Sequence, residues 1–82
     1  MLKSQKLLLF GATVRKYRKA AGLSQETLAD LAEIHRTYIG GIERGERNPT
    51  LLMIHRLANA LEIEPFKLLE IDSIKAARRN DR

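Results

Sequence analysis

The 82-residue chain contains no cysteine, so neither disulfide bridges nor thiolate metal sites contribute to its fold. That absence fits a reducing cytoplasm. No apolar run approaches the roughly 20 residues a membrane span requires. The opening is basic and then apolar, with Lys3 and Lys6 followed by Leu7, Leu8, Leu9 and Phe10. Its apolar part is too short for a secretory signal, and Arg15, Lys16, Arg18 and Lys19 follow at once. Prolines are limited to Pro49 and Pro65, and there is neither an internal repeat nor a low-complexity segment. Acidic residues are missing from the first 22 positions, which carry all six of the basic side chains just named. Acids gather instead between Glu26 and Glu33 and between Glu62 and Glu70.

Fifteen basic against ten acidic residues leave a net charge of +5. Its concentration in one stripe points to a polyanionic partner. A chain this short forms one domain with one core, and such a domain hides only about 60% of its unfolded surface. It is therefore marginal unless it is idealised or pairs with itself.

The chain divides into five short helical stretches, and nothing in it alternates like a strand. Leu7, Phe10, Val14, Tyr17 and Ala21 recur at spacings of three and four, which marks one face of an amphipathic helix. Gly22 stands where a left-handed residue closes a helix. Ser24 reads as the N-cap of a second helix over Gln25 to Ala32, with Leu28, Ala29, Leu31 and Ala32 as its apolar face. Thr27 stands where a full capping box would have Glu or Gln. A turn of Glu33, Ile34 and His35 leads to a third helix, Arg36 to Arg44, ending at Gly45. Thr50 caps a fourth, whose inner stripe is Leu51, Ile54, Leu57, Ala58 and Leu61. Pro65 suits the first turn of a fifth, with Phe66, Leu68, Leu69 and Ile71 as its apolar surface. These boundaries predict an all-α five-helix bundle over residues 1–72, followed by a polar, basic tail at 73–82.

Two short helices joined by a turn of three or four residues have the spacing of a helix-turn-helix. In that motif the second helix lies in the major groove and presents its N-terminal side chains to base edges. Here those are Arg36, Thr37 and Tyr38, with Ile39 and Ile42 as anchors behind them. Arginine matches the O6/N7 edge of guanine with two hydrogen bonds, and threonine meets a polar edge or the thymine methyl.

The run VRKYRKAAGLSQETLADLAEIHRTYIGGIERGERNPTLLMIHRLANAL resembles the helix-turn-helix family of phage repressors and Cro proteins, the xenobiotic-response-element type with a lambda-repressor-like domain. GLSQETLA followed at this separation by IERGERNPT carries the resemblance, which extends over about residues 7 to 70. Within the family, RTYIGGIERG is most similar to restriction–modification controller proteins, in which R-T-Y-I-S-G-I-E-R is common. Gly40 departs from that pattern by replacing serine, and so removes a hydroxyl from the third helix. Gly41 matches the pattern, and close packing or close backbone approach is its expected reason.

The resemblance implies a sequence-specific transcription regulator acting in the bacterial cytoplasm at the nucleoid, on its own operon and the neighbouring endonuclease gene. It implies double-stranded DNA as the partner, RNA polymerase as a further one, and no cofactor, metal, membrane or catalytic residue. Gln25 would hold a phosphate with the amide groups of its helix end, while Arg36, Thr37 and Tyr38 would read bases. Arg47 and Asn48 would reach phosphate or the adjacent groove, and Arg18, like Arg15, would meet the backbone unless it pairs with Glu43 inside the fold. The alternative is an antitoxin or small phage-type repressor whose helix-turn-helix also binds protein.

Blander roles compete at each position. Arg36 gains nothing from the dipole at a helix N-terminus, which favours anions, and this supports base reading over an idle surface charge. For Thr37 the rival is a capping hydroxyl; for Tyr38, a ring packed on the second helix; for Gln25, plain helix forming. Glu43 and Arg44 read as a structural ion pair or cap. His35 and His55 have no partner at metal-ligand spacing. Leu52 and Met53 widen the apolar surface of the fourth helix beyond what its inner stripe uses. With Phe66 and Leu69 they predict a two-fold dimer, which would set two recognition helices about 34 Å apart on an inverted repeat.

Overall fold

The computed structural model describes residues 4–72, and the expected tail at 73–82 lies outside the described residues. Five α-helices follow one another: α1 Gln5–Ala20, α2 Gln25–Ala32, α3 Arg36–Glu43, α4 Leu51–Leu61 and α5 Pro65–Leu68, with a 3-10 turn at Glu70–Asp72.

Local hydrogen bonding accounts for where the helices begin. Ser4, Ser24 and Thr50 each accept the backbone N–H three residues on, from Leu7 at 3.3 Å, Thr27 at 3.0 Å and Met53 at 3.2 Å. Each bond supplies a partner to an amide that the first turn leaves without one. Pro65 opens α5, with Glu64 before it in extended conformation.

The first four helices all end in the same way. Gly22, Glu33, Gly45 and Glu62 adopt left-handed conformation, with φ of 74°, 57°, 76° and 58°. The next residue in each case turns its N–H back to a carbonyl in the last turn: Leu23 to Arg18, Ile34 to Ala29, Glu46 to Gly41 and Ile63 to Ala58. These are Schellman turns, in which an apolar residue after the turn packs back on the helix. Leu23, Ile34 and Ile63 fill that role. Glycine takes the left-handed position without strain, whereas glutamate does so against the clash of its Cβ, a cost of roughly 1–2 kcal/mol.

The core joins Phe10 and Val14 of α1, Leu28, Ala29 and Ala32 of α2, Ile39 and Ile42 of α3, Leu57, Ala58 and Leu61 of α4, and Leu68 of α5. Ile34 of the helix-turn-helix turn closes it. Helix α1 lies against α3, α2 touches both α3 and α4, and α5 covers α4.

Three residues expected on buried faces lie elsewhere, the first being Ala21, which is exposed at the C-cap of α1. Leu31 is 56% exposed, because it stands roughly 60° beyond the edge of the arc held by Leu28, Ala32 and Ala29. Leu51 is 66% exposed. It opens α4 one turn before Ile54, itself only half-buried, so the inward stripe is effectively Leu57, Ala58 and Leu61.

Gly11 is the residue on which the α1–α3 contact turns. A Cβ there would land inside contact distance of the backbone carbonyl oxygens of Ile42 and Glu43. Backbone cannot swing aside as a side-chain tip can, so the two helices approach this closely only without a side chain at position 11. Gly11→Ala is expected to destabilise the domain by about 1–3 kcal/mol through overpacking, although alanine is the better helix former. Chemical denaturation of the two proteins measures this, and equal midpoints would count against it.

Candidate nucleic-acid interface

Helices α2 and α3 and the turn 33–35 between them form the helix-turn-helix. Its frame is held from behind by one buried ion pair. Arg18 of α1 is 8% exposed and grips both carboxylate oxygens of Glu43, Nε to Oε2 at 2.6 Å and its second terminal nitrogen to Oε1 at 3.0 Å. Its remaining terminal nitrogen donates to the Leu23 carbonyl at 2.8 Å. Gln25, the first residue of α2, donates its side-chain amide to Glu43 Oε1 at 3.0 Å. One carboxylate at the end of α3 thus ties α1, α2 and α3 together.

This departs from the expectation that Arg18 meets the DNA backbone: the side chain is buried, and each of its three nitrogens makes a bond within the fold. Gln25 stands half-buried at the N-terminus of α2, oriented by Glu43. Its amide nitrogen carries two hydrogens, so one bond to Glu43 leaves a second for another acceptor.

Burial works to raise the Glu43 carboxyl. Hydrogen bonds from Arg18 and Gln25, with the charges of Arg18 and Arg15, outweigh it and hold the group below the usual carboxylate range. The hydrogen bond to Glu43 raises Arg18 in turn, against the opposing effect of burial.

At the other end of α3 the cap is His35, whose imidazole Nδ1 accepts the Thr37 N–H at 3.1 Å. The spacing had not marked it, since serine, threonine, aspartate and asparagine are the usual caps. The Thr37 hydroxyl therefore does not cap this helix, and its side chain is exposed. Arg36 is exposed beside it and lies 3.9 Å from Glu26, also exposed, a pairing that contributes little in water.

Tyr38 is half-buried and packs against the core, with its hydroxyl donating to the Asn48 carbonyl at 3.3 Å. The Arg47 guanidinium lies over its ring, 5.2 Å from the centroid. The structure thus gathers Tyr38, Arg47 and Asn48 into one cluster where the loop returns past α3. Gly40 is buried, and the neighbours of its absent side chain are Arg44 and Gln25. A Cβ there would meet the Arg44 guanidinium at 3.1 Å. Arg44 itself bonds Glu46 at 3.0 Å, so this pair lies in the turn after α3, whereas Glu43 faces Arg18.

The residues expected at a dimer interface separate. Leu52, Phe66 and Leu69 are exposed, at 69%, 55% and 50%. Met53 departs from the expectation of surplus surface, since it is half-buried and packed against the core. Leu52 borders a groove of about 500 Å³ with His55, Ile63 and Pro65, whereas Leu69 borders another of about 430 Å³ with Phe10, Pro49 and Ile54. Among the described residues, no helix is long and apolar enough to cross a membrane.

The paired helices, their turn and the exposed start of α3 define a class, and comparison with known proteins agrees: residues 14–68 match the helix-turn-helix family, to which the chain belongs. Within it, the chain is similar to restriction–modification controller proteins. It is 46% identical to control protein C.SmaI of Serratia marcescens over 67 residues, covering 82% of this chain and 80% of that one. The crystal structure of the controller protein C.AhdI from Aeromonas hydrophila superposes with a TM-score of 0.78 at 52% identity, covering 79% of this chain and 98% of that one. The controller protein C.Esp1396I, solved as a tetramer with its natural 35 base-pair operator, superposes with a TM-score of 0.76 at 33% identity, covering 84% and 91%.

Because Glu43 titrates lower in the folded chain than in the unfolded one, its contribution to stability is complete above the ordinary glutamate value of about 4.3 and is lost as pH falls through the lowered folded value. Glu43→Gln is expected to lose about 3–5 kcal/mol at neutral pH, since it leaves Arg18 buried and unpaired. It should also lack this part of the acid dependence. Unfolding free energies measured from neutral pH down to about pH 3 test both, and parallel curves for the two proteins would refute the assignment.

Proposed function

We propose that the chain is a dimeric, sequence-specific DNA-binding regulator of the restriction–modification controller type, acting at the bacterial nucleoid on its own operon and the adjoining endonuclease gene. The observation that carries this reading is the exposed start of α3. Arg36 and Thr37 project from it, Arg36 with only a long, exposed pairing to Glu26, on a helix locked from behind by Glu43 and Arg18. Arg36 and Thr37, with Tyr38 beside them, read base edges in the major groove. Gln25, Arg47 and Asn48 hold the flanking phosphates, which sets register without carrying sequence information.

Exposed Leu52, Phe66 and Leu69, with Met53 at the margin, support self-association through α4 and α5. A two-fold dimer presents two copies of α3 to an inverted repeat, with half-sites about 34 Å apart. C.Esp1396I, solved as a tetramer with its operator, supports DNA binding by an oligomer. Exposed Glu26 and Asp30 of α2, with Glu33 of the turn that follows, offer an acidic face to RNA polymerase bound beside the operator.

Arg36→Ala is expected to weaken operator binding by about 1–3 kcal/mol and to relax preference at one base pair in each half-site. Selection from a randomised duplex pool, followed by titration, measures both, and unchanged affinity and preference would remove Arg36 from the reading set. Leu52→Lys is expected to shift the dimer toward monomer in sedimentation equilibrium. A wild-type chain that stays monomeric at high micromolar concentration would sink the interface.

A further inference from the structure

Gly41 lies inside α3 and is buried, and the space its side chain would take is filled by another residue. A Cβ at this position would stand 2.6 Å from Arg47 Cγ, 3.3 Å from Nε and 3.5 Å from Cδ. The arginine stem therefore runs in a notch across the bare backbone of the helix. Two further contacts define its course. The Gly41 carbonyl accepts the Glu46 N–H at 2.8 Å, which folds the chain back so that the next residue passes over the notch. Beyond the notch, the guanidinium ends 5.2 Å above the Tyr38 ring, whose hydroxyl is anchored to the Asn48 carbonyl.

We propose that Gly41 is a positioning residue that acts through Arg47: its missing side chain lets the arginine lie across α3 and holds the guanidinium over Tyr38, preset for a DNA phosphate. This rests on the reading of the chain as a DNA-binding protein. A free arginine loses much of its rotamer freedom when it binds, and a side chain already ordered in the unbound protein loses less. The aromatic face also attracts the cation without neutralising it, so the charge stays available to a phosphate. A methyl group at position 41 meets Arg47 first at Cγ, the root of its side chain, so the whole stem must turn about χ1 and leave the notch; the three nearest atoms all belong to that side chain and none to backbone. Alanine is also the better helix former. Stability and binding should therefore move apart, which a merely structural glycine would not allow.

The test uses the full chain as wild type, Gly41→Ala, Arg47→Ala and the double variant, with the duplex that wild type selects from a randomised pool as probe. Gly41→Ala is expected to keep or raise the melting temperature and yet to bind about five- to tenfold more weakly. It should also lose about 0.9 from the slope of log affinity against log salt, one phosphate contact, as Arg47→Ala does. The double variant should bind no more weakly than the worse single one, since both changes remove the same contact. Without DNA, the upfield ring-current shift of the Arg47 methylene protons should vanish in Gly41→Ala. Additive losses in the double variant, or wild-type binding by Gly41→Ala where Arg47→Ala is impaired, would overturn the role of Gly41 alone. Wild-type binding and salt slope in Arg47→Ala would overturn the phosphate role of Arg47, and this inference with it.

Discussion

The carboxylate of Glu43 is the point on which the arrangement depends. It accepts two hydrogen bonds from Arg18 and one from Gln25, and thereby joins the three helices that form and support the helix-turn-helix. A charge that buried is tolerable only with a partner and with its lone pairs occupied, and among the described residues no buried side-chain polar atom is left without a bond. Such a bond set is directional in a way that apolar packing is not. Ile39 and Ile42 could slide by fractions of an ångström in the core, but a bidentate arginine cannot follow without losing a bond. The clamp fastens the end of α3, the helix from whose start Arg36 and Thr37 project, to α1 and α2.

Around the clamp the chain relies on short-range devices. Hydroxyl caps begin α1, α2 and α4, and left-handed turns end the first four helices. These ends do more than stop helices. The turn at Gly45 sends the chain back along α3, which brings Arg47 and Asn48 beside Tyr38, and the turn at Glu33 drops Ile34 into the core. The close α1–α3 approach at Gly11 completes the set, because it brings Arg18 and Glu43 to bonding distance. The geometry of the surface proposed to face DNA is thus a product of helix ends and one close crossing more than of the helices themselves.

Much of this was readable before any coordinates. The caps at Ser24 and Thr50, the glycine turns at Gly22 and Gly45, and the extent of α2 follow from local patterns, and each acts through bonds spanning at most five residues. Apolar spacing identified most of the core. It erred at Leu31 and Leu51, where periodicity marks a face but neighbouring helices decide how wide a face is covered. Glutamate at the two other left-handed turns left no signal, since its intrinsic preference opposes that conformation.

What the sequence determined by itself is the order of the helices, most of their limits, the pairing of α2 with α3, and the Arg36–Thr37 pair that opens α3. These depend on hydrogen bonds and periodicities within a few residues. The tertiary structure alone decided where Arg18 points, which residue caps α3, why position 11 cannot carry a side chain, and what fills the notch at Gly41. Each of those answers depends on a partner brought close by the assembled fold: Arg18 and Glu43 stand 25 residues apart in the chain. A guanidinium on a solvent-facing helix and one in a buried clamp are written with the same letter. Only the packing of α1 on α3 makes the distinction.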